Sequence, residues 1–279
     1  MINLGIRAHD VKASSLDELV QTVKDKGLSS VQLALAKSFP QLNTSLGSLS
    51  PGFAKYIGNA FQQMNIQIGV LGCYINMIHP DQQERQKALD RFKEHIRYAR
   101  DFGCSVVGTE TGNVHAKMGF TVDNFREKPF LDVVDSVKEL VNEAEKFGVI
   151  VGIEAGVNHP VYNPMLLKRL LDEVNSNNLQ IIFDPVNLLT VENYIYQDEI
   201  FKEAIELFGD RIIIVHCKDF VIENGKLKFA PPGKGLLNYD LVMELIKHRK
   251  PYIQFLLEST TEPFIDDSIA FLQEKYENA

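Results

Sequence analysis

The stretch RIIIVHCKDF, residues 211–220, joins an unbroken run of branched apolar residues to a histidine, a lysine and an aspartate. A continuous apolar run is typical of a strand that is buried on both faces, as in a parallel sheet. His216, Lys218 and Asp219 therefore fall at the carboxyl end of a predicted buried strand, where ionisable groups require an explanation.

Strands of the same kind recur along the chain and alternate with helical segments. Residues 14–27, for example, offer Ser15 as a helix N-cap, Glu18 three positions later and Gly27 as a stop. Eight strands and eight helices in 279 residues predict one (β/α)₈ TIM barrel that spans residues 1–279 as a single domain. A doubly wound open sheet is the alternative, but it more often has a glycine-rich turn after the first strand, which IRAHDVKA lacks. The other predicted strands are INLGIRA, SVQLALA, IQIGVLG, SVVGTET, VIVGIEA, LQIIFDP and YIQFLLE.

The helix predicted over residues 80–103 has an apolar stripe that indicates a core-facing surface. The stripe consists of Leu89, Phe92, Ile96 and Ala99. His95 in this helix and His248 in a later one are expected on the solvent-exposed surface. The longest irregular segment, residues 112–130, is expected to form a loop over the catalytic face of the barrel.

Composition and charge narrow the classes of partner. Lys and Arg total 29 and Asp and Glu total 37, and the net charge of −8 predicts that the protein does not bind nucleic acid. No apolar run approaches the roughly 18 residues that span a membrane, and the start MINLGIRAHD lacks a secretory signal pattern. The three cysteines form no C-x-x-C pair, so a reduced, cytoplasmic protein without disulfides is expected.

Four consecutive predicted strands, the fifth to the eighth, each end in a side chain that can bind a metal. These side chains are Glu154, Asp184, His216 and Glu258. The carboxyl ends of barrel strands point at one face, so the four are expected to converge. Each residue alone has an ordinary explanation as a salt-bridge partner, a turn residue or a core histidine. Together, three carboxylates would repel each other more than one imidazolium could offset, and their shared location predicts a bound divalent metal.

Three carboxylates and one imidazole form a hard donor set. Such a set suits Mn²⁺, Mg²⁺ or Co²⁺ and leaves Zn²⁺ open. Cys217 alternates away from His216 along the strand and is not counted as a ligand. The polar end of the stretch at 211–220 is thus explained as one part of a coordination shell.

Glu154, Asp184, His216 and Glu258, in that order and with FDPVN, HCKD and PPGKG around them, resemble the xylose isomerase-like barrel family of sugar phosphate isomerases and epimerases. The resemblance covers essentially the whole chain, and the combination of motifs carries it. It implies a metal-dependent isomerase or epimerase of a sugar or sugar phosphate. In such an enzyme the metal stabilises an enediolate while Glu154 and Glu258 move the proton. Family members often form dimers or tetramers, so the resemblance also implies a homo-oligomer.

Other polar side chains at the predicted strand ends are expected to contact the substrate. Each could instead pair with a neighbour, and Lys218 could form an ion pair with Asp184 or Asp219. The PPGKG turn with Lys234 could bind a phosphate or form a plain turn, so phosphorylation of the sugar stays open. The expected substrate contacts are Arg7, His9, Asn76, His79, Glu110, Asn187 and Lys218.

Departures from known relatives separate the alternatives. Ketose 3-epimerases carry a glutamate six residues after the strand-five ligand and an arginine six residues after the histidine, where this chain has Pro160 and Ile222. Apurinic endonucleases carry a histidine three residues after the strand-six aspartate, where this chain has Asn187. A metal-dependent dehydratase of a keto-inositol or dehydroshikimate-like substrate is the closest alternative. A non-catalytic sugar-binding protein would have no use for two acid–base glutamates.

Overall fold

The computed structural model describes residues 2–279, and its long-range pairing is dominated by a closed parallel barrel. The strands are β1 (Asn3–Arg7), β2 (Ser30–Leu33), β3 (Gln67–Gly72), β4 (Val106–Glu110), β5 (Ile150–Glu154), β6 (Leu179–Phe183), β7 (Ile212–Cys217), β8 (Asp219–Glu223), β9 (Lys226–Ala230) and β10 (Gln254–Leu257). The barrel order is β1–β10–β7–β6–β5–β4–β3–β2, and the register of β1 with β10 closes it. All eight predicted strands form, so the predicted (β/α)₈ TIM barrel is confirmed.

The helices surround the barrel and follow the strands as predicted. They are α1 (Leu16–Asp25), α2 (Leu35–Ser38), α3 (Pro51–Gln63), α4 (Gln82–Tyr98), α5 (Glu127–Phe147), α6 (Pro164–Val174), α7 (Gln197–Phe208), α8 (Tyr239–Lys247) and α9 (Ile265–Asn278). Ser15 caps α1 by accepting a hydrogen bond from the backbone N–H of Glu18 at 3.2 Å, as its position predicted. Within residues 2–279, none of the helices combines the length and the apolarity that crossing a membrane requires.

Two segments differ from the sequence-based expectation. Helix α5 begins at Glu127, so the irregular segment predicted over residues 112–130 ends earlier and contains a 3₁₀ turn at Val122–Phe125. Strands β8 and β9 form an antiparallel hairpin that was not predicted. Its turn residues Asn224 and Gly225 have φ values of 51° and 69°, the positive values that a two-residue type I′ hairpin requires.

The core has two layers that hold the strand ends in place. Inside the barrel, a small cluster fills the space between the strands, and a larger one lies between the barrel and the helices. The inner cluster consists of Val70, Val106, Ile182, Ile214 and Leu256. The prediction that His95 lies on the surface is wrong, because α4 buries it to 1% exposure, whereas His248 is exposed as expected. Cys73, Cys104 and Cys217 are free and buried.

Candidate metal centre

The barrel brings together the four side chains that the sequence nominated as metal ligands. Glu154 ends β5, Asp184 follows β6, His216 lies in β7 and Glu258 follows β10. Each offers one ligand atom, and these four atoms lie within 4.8 Å of one another. The four residues are between 1% and 7% exposed, so the cluster is buried from solvent. A parallel barrel produces this convergence because its strands all end at one rim.

Each of the three carboxylates has one oxygen that faces the centre and another that accepts a hydrogen bond from a residue around the cluster. Glu154 Oε1 accepts a hydrogen bond from Asn187 Nδ2 at 2.6 Å. Asp184 Oδ1 accepts one from the backbone N–H of Asn187 at 3.2 Å, and Glu258 Oε1 accepts one from Lys218 Nζ at 2.9 Å. Outer contacts of this kind orient metal ligands in proteins. The arrangement therefore fits a bound cation.

His216 follows the same pattern with its two ring nitrogens. Its Nε2 lies 2.6 Å from Oε1 of Gln32, a carbonyl oxygen that can only accept, so this nitrogen carries the proton. Its Nδ1 lies 3.0 Å from Glu258 Oε2 and 3.3 Å from Glu154 Oε2. This Nδ1 is buried and has no hydrogen-bond partner of acceptable geometry among the described residues. A buried nitrogen without a partner is costly, and a metal ion would satisfy it.

Two basic side chains reach the cluster from its edge. Lys218 Nζ lies 2.7 Å from Asp184 Oδ2 and 2.9 Å from Glu258 Oε1, and Lys218 is 2% exposed. Arg7 Nη1 lies 3.0 Å from Glu258 Oε1, while its Nε pairs with Asp10 at 2.9 Å. Because Arg7 is shared with Asp10, the cluster keeps an excess of negative charge. The ion pair between Lys218 and Asp184, which was one of the expectations for Lys218, is present.

The ionisation of the cluster reflects this excess. Burial lowers the pKa of His216, but the charges of Glu154 and Glu258 outweigh burial and raise this pKa to about 10. Burial raises the pKa of Asp184 to about 6, although the charge of Lys218 acts to lower it. Burial also acts to raise the pKa of Glu258, but Lys218 and then His216 hold that pKa well below its usual value. The carboxylates thus draw positive charge to their centre, and a divalent cation can supply it in place of the imidazolium proton.

A cavity of about 750 Å³ opens beside the cluster and gives access to it. Glu258, Lys218 and Asn187 line this cavity, as does Glu110 at the end of β4. Glu110 Oε2 lies 3.6 Å from His159 Nε2, and burial raises the pKa of Glu110. Of the expected substrate contacts, Asn187, Lys218 and Glu110 therefore face one cavity with the cluster.

The remaining expected substrate contacts are placed differently. His9 lies in a short 3₁₀ turn after β1, and burial, followed by the charge of Arg7, lowers its pKa to about 4. Asn76 joins two loops, because its amide donates to the backbone oxygens of Asn113 at 2.9 Å and His115 at 3.0 Å. His79 accepts a hydrogen bond from the backbone of Asp81 at 3.1 Å before α4 and is not among the residues that line the cavity. The amide of Asn76 is therefore engaged with the protein itself.

Two residues that support the cluster, Gln32 and Tyr74, were not predicted from the sequence. Gln32 is fully buried in β2 and contacts His216, and its amide nitrogen donates to the hydroxyl of Tyr74. The available signal was a glutamine inside the otherwise apolar SVQLALA strand. A buried amide in such a strand needs partners, and the barrel interior is where it can find them.

The sequence model of the family described as xylose isomerase-like TIM barrel matches residues 20–275. The chain therefore belongs to this family. The matched region includes the four convergent side chains and the strands that carry them.

Solved structures with the same fold extend over nearly the whole chain. A D-tagatose 3-epimerase-like protein is 19% identical with a TM-score of 0.76, and the match covers 99% of this chain and 98% of that one. The IolI protein with a bound zinc atom is 16% identical with a TM-score of 0.75, over 99% and 97% of the two chains. The probable 3-DHS dehydratase AsbF of Bacillus anthracis, involved in petrobactin synthesis, is 14% identical with a TM-score of 0.73, over 98% of each chain. At such identities the likeness establishes the fold.

Proposed function

We propose that the protein is a divalent-metal-dependent isomerase or epimerase that acts on a sugar or sugar phosphate by moving a proton to and from carbon. The observation that carries the proposal is the position of two glutamate carboxylates around one buried centre. Glu154 Oε2 and Glu258 Oε2 lie 3.3 Å and 3.0 Å from the same His216 Nδ1. Both can therefore reach one small substrate bound at that centre, as proton transfer to a neighbouring carbon or to the opposite face requires.

The two glutamates have unlike surroundings, which supports a division of roles. Glu258 contacts the cations of Lys218 and Arg7, and these stabilise its carboxylate and weaken it as a base. The outer oxygen of Glu154 instead accepts from the neutral amide of Asn187. We assign the proton abstraction to Glu154, which then holds the proton and can return it to the neighbouring carbon. For return on the opposite face, Glu258 would deliver a proton that it first takes up from solvent. Lys218 lines the cavity beside Glu258, and we assign it a hydrogen bond to an oxygen of the substrate that gains negative charge.

The donor set identifies which residues would hold the metal. The inward atoms are Glu154 Oε2, Asp184 Oδ2, His216 Nδ1 and Glu258 Oε2. When bound, the cation would draw electron density from adjacent carbonyl and hydroxyl oxygens and acidify the neighbouring C–H. The oxygen-rich set favours Mn²⁺, Mg²⁺ or Co²⁺, while the structural neighbour IolI holds zinc.

The test is exchange of carbon-bound hydrogen in D₂O by metal-loaded protein, with a panel of sugars and sugar phosphates. We expect deuterium in a product of unchanged formula. Glu154→Gln should lower turnover by about 10² or more, because the amide cannot accept the proton, and Glu258→Gln should do the same. Glu203→Gln, at an exposed position on α7, is the matched control and should keep full activity. Full turnover by a metal-loaded Glu154→Gln variant would remove this residue from the mechanism.

A dehydratase is the second candidate. It is supported by two positions at which this chain lacks the residues that are typical of ketose 3-epimerases. Pro160 is buried and Ile222 lies on the β8–β9 hairpin, in place of the glutamate and arginine of those enzymes. A dehydratase would use the same proton abstraction and then expel a hydroxyl group. The same D₂O experiment separates the two, because a dehydratase yields a product that is lighter by one water.

A further inference from the structure

The cavity beside the metal centre has two chemically different ends. Its buried end contains Lys218 and Glu258, which are 2% and 7% exposed. Its open end contains Phe120 and Phe229, which are 69% and 56% exposed, and the half-buried Leu227 also lines the cavity. The exposed residues Asn158, Glu192 and Lys226 also line the cavity, so polar groups border the aromatic surface. Exposed aromatic surface beside a polar reactive centre is typical of a binding subsite.

The two exposed rings are held in place by other side chains. The Phe120 ring lies 5.8 Å from that of Phe125, which in turn lies 4.6 Å from the ring of Tyr162. Lys218 Nζ lies 4.4 Å from the centroid of the Phe229 ring, so this ring borders the reactive end of the cavity. Rings that are already ordered lose little conformational freedom when a ligand binds.

The turn that the sequence offered as a phosphate site is already occupied by a carboxylate of the protein. The backbone N–H groups of Gly233 and Gly235 donate to Asp219 Oδ2 at 3.1 Å and 3.0 Å. A Cβ at Gly235 would lie 2.3 Å from Asp219 Oδ1, so the approach of this carboxylate requires glycine there. Lys234 points elsewhere and pairs with Asp267 at 2.9 Å. The backbone N–H groups of Gly233 and Gly235 are therefore not free to bind a phosphate.

The charged groups of the cavity also disfavour an anionic substituent. Among residues 2–279, the lysines that line the cavity are Lys218 and Lys226, with no arginine. Lys218 already contacts two carboxylates of the metal centre, and their charges offset its own. Lys226 is exposed at the hairpin turn, and Glu192 and Glu110 line the same cavity. Beside the metal centre, the cavity therefore offers an anionic substituent one exposed lysine, Lys226, and two carboxyl groups, those of Glu110 and Glu192.

We infer that the open end of the cavity is a subsite for an apolar, planar and uncharged substituent. The substrate is accordingly a neutral sugar or cyclitol derivative that carries such a group in place of a phosphate. This inference rests on the proposed function, because the metal centre is what holds the polar part of the substrate. Phe120 and Phe229 contact the substituent.

Hydroxamates provide probes that do not depend on the identity of the sugar, because they chelate a metal through two adjacent oxygens. Manganese-loaded protein is titrated calorimetrically with acetohydroxamate, with phenyl hydroxamates having zero to three methylenes before the ring, and with phosphoglycolohydroxamate. At least one phenyl compound should bind about tenfold tighter than acetohydroxamate, since burying a ring removes apolar surface from water. Phosphoglycolohydroxamate should bind no tighter than acetohydroxamate.

Variants connect this preference to the two rings. Phe120→Ala and Phe229→Ala should each reduce the preference for the phenyl group by about threefold or more, with acetohydroxamate affinity retained. Phe147→Ala is the matched control, because Phe147 is also exposed, at 39%, but lies at the end of α5, outside the cavity. It should change neither affinity.

The outcomes separate the inference from the proposed function. Metal-dependent acetohydroxamate binding with no phenyl preference, or with a preference that survives both phenylalanine variants, overturns the inference alone. A preference for phosphoglycolohydroxamate that Lys226→Ala abolishes also overturns it. If none of the hydroxamates binds in a metal-dependent way, the metal centre itself is refuted, and the proposed function and the inference fall together.

Discussion

Gln32→Leu tests how the protein fixes the orientation of His216, the one imidazole among the proposed metal ligands. Gln32 is fully buried, and its Oε1 lies 2.6 Å from His216 Nε2. The amide nitrogen of Gln32 is in turn bonded to the Tyr74 hydroxyl, so the oxygen is directed at His216. This contact keeps a proton on Nε2, so that Nδ1 faces the carboxylates and can exchange its imidazolium proton for a cation.

Leucine fills a similar volume but accepts no hydrogen bond, so the Nε2–H of His216 would be buried without a partner. Loss of such an outer contact typically lowers metal affinity by about 10- to 100-fold. This range corresponds to about 1.4 to 2.8 kcal/mol of binding free energy, since each tenfold change is about 1.4 kcal/mol. Gln32→Glu keeps an acceptor at the same place and should hold the affinity within about threefold of wild type.

The assay is calorimetric titration of metal-free protein with Mn²⁺, together with the visible absorption of bound Co²⁺, which reports ligand geometry. Gln180→Leu is the matched control, because Gln180 lies in β6 and its amide bonds to the backbone of Asn177 at 2.8 Å. The control should bind metal as the wild type does. Unfolding curves in EDTA establish that each variant is folded. An unchanged Mn²⁺ affinity in folded Gln32→Leu, or equal losses in Gln32→Leu and Gln32→Glu, would refute the reasoning.

Three further perturbations follow from the same structure. His216→Ala should lose bound metal and most of the roughly 2.7 kcal/mol that metal at one hundred times its Kd adds to wild-type stability; metal analysis showing equal content would contradict its role as a ligand. Lys218→Met leaves Asp184 and Glu258 without the buried ammonium group of Lys218, so the free energy of unfolding in EDTA should fall by about 3–5 kcal/mol. The Mn²⁺ affinity should rise by about tenfold, and a lower Mn²⁺ affinity would contradict this expectation. Burial lowers the pKa of His95 from 6.5 to about 4, so the folded protein loses stability as the pH falls from 6.5 towards 4. Urea unfolding at pH 7 and pH 5 should show that His95→Gln loses about 2 kcal/mol less than wild type over this interval, and an identical loss would contradict the buried, neutral state.

Much of the architecture follows from local patterns in the sequence. The buried strands are continuous apolar runs, and the helices between them carry apolar stripes and caps such as Ser15. Once a parallel barrel is predicted, the positions of Glu154, Asp184, His216 and Glu258 at strand ends place them at one rim. The barrel geometry itself converts distant sequence positions into neighbours, so the cluster could be predicted without contact information.

What was missed depends on contacts that periodicity does not encode. His95 lies three positions after Phe92 and therefore belongs to the apolar face of α4, but histidine was assigned to the surface by residue type. The partner of Gln32 is 184 positions away in sequence, and only the register of the closed barrel brings the two side chains together. Asp219 was considered as a partner for Lys218, whereas its carboxylate instead caps the backbone of Gly233 and Gly235. In each case a polar group found its partner through tertiary structure.

The central claim is that one divalent cation is held between the carboxylates and the imidazole at the carboxyl rim of the barrel. Anomalous diffraction at the manganese edge, from crystals grown with Mn²⁺, tests it most directly. We predict a single strong peak bounded by Glu154 Oε2, Asp184 Oδ2, His216 Nδ1 and Glu258 Oε2. A map without a peak there, with Lys218 alone bridging the carboxylates, would contradict it.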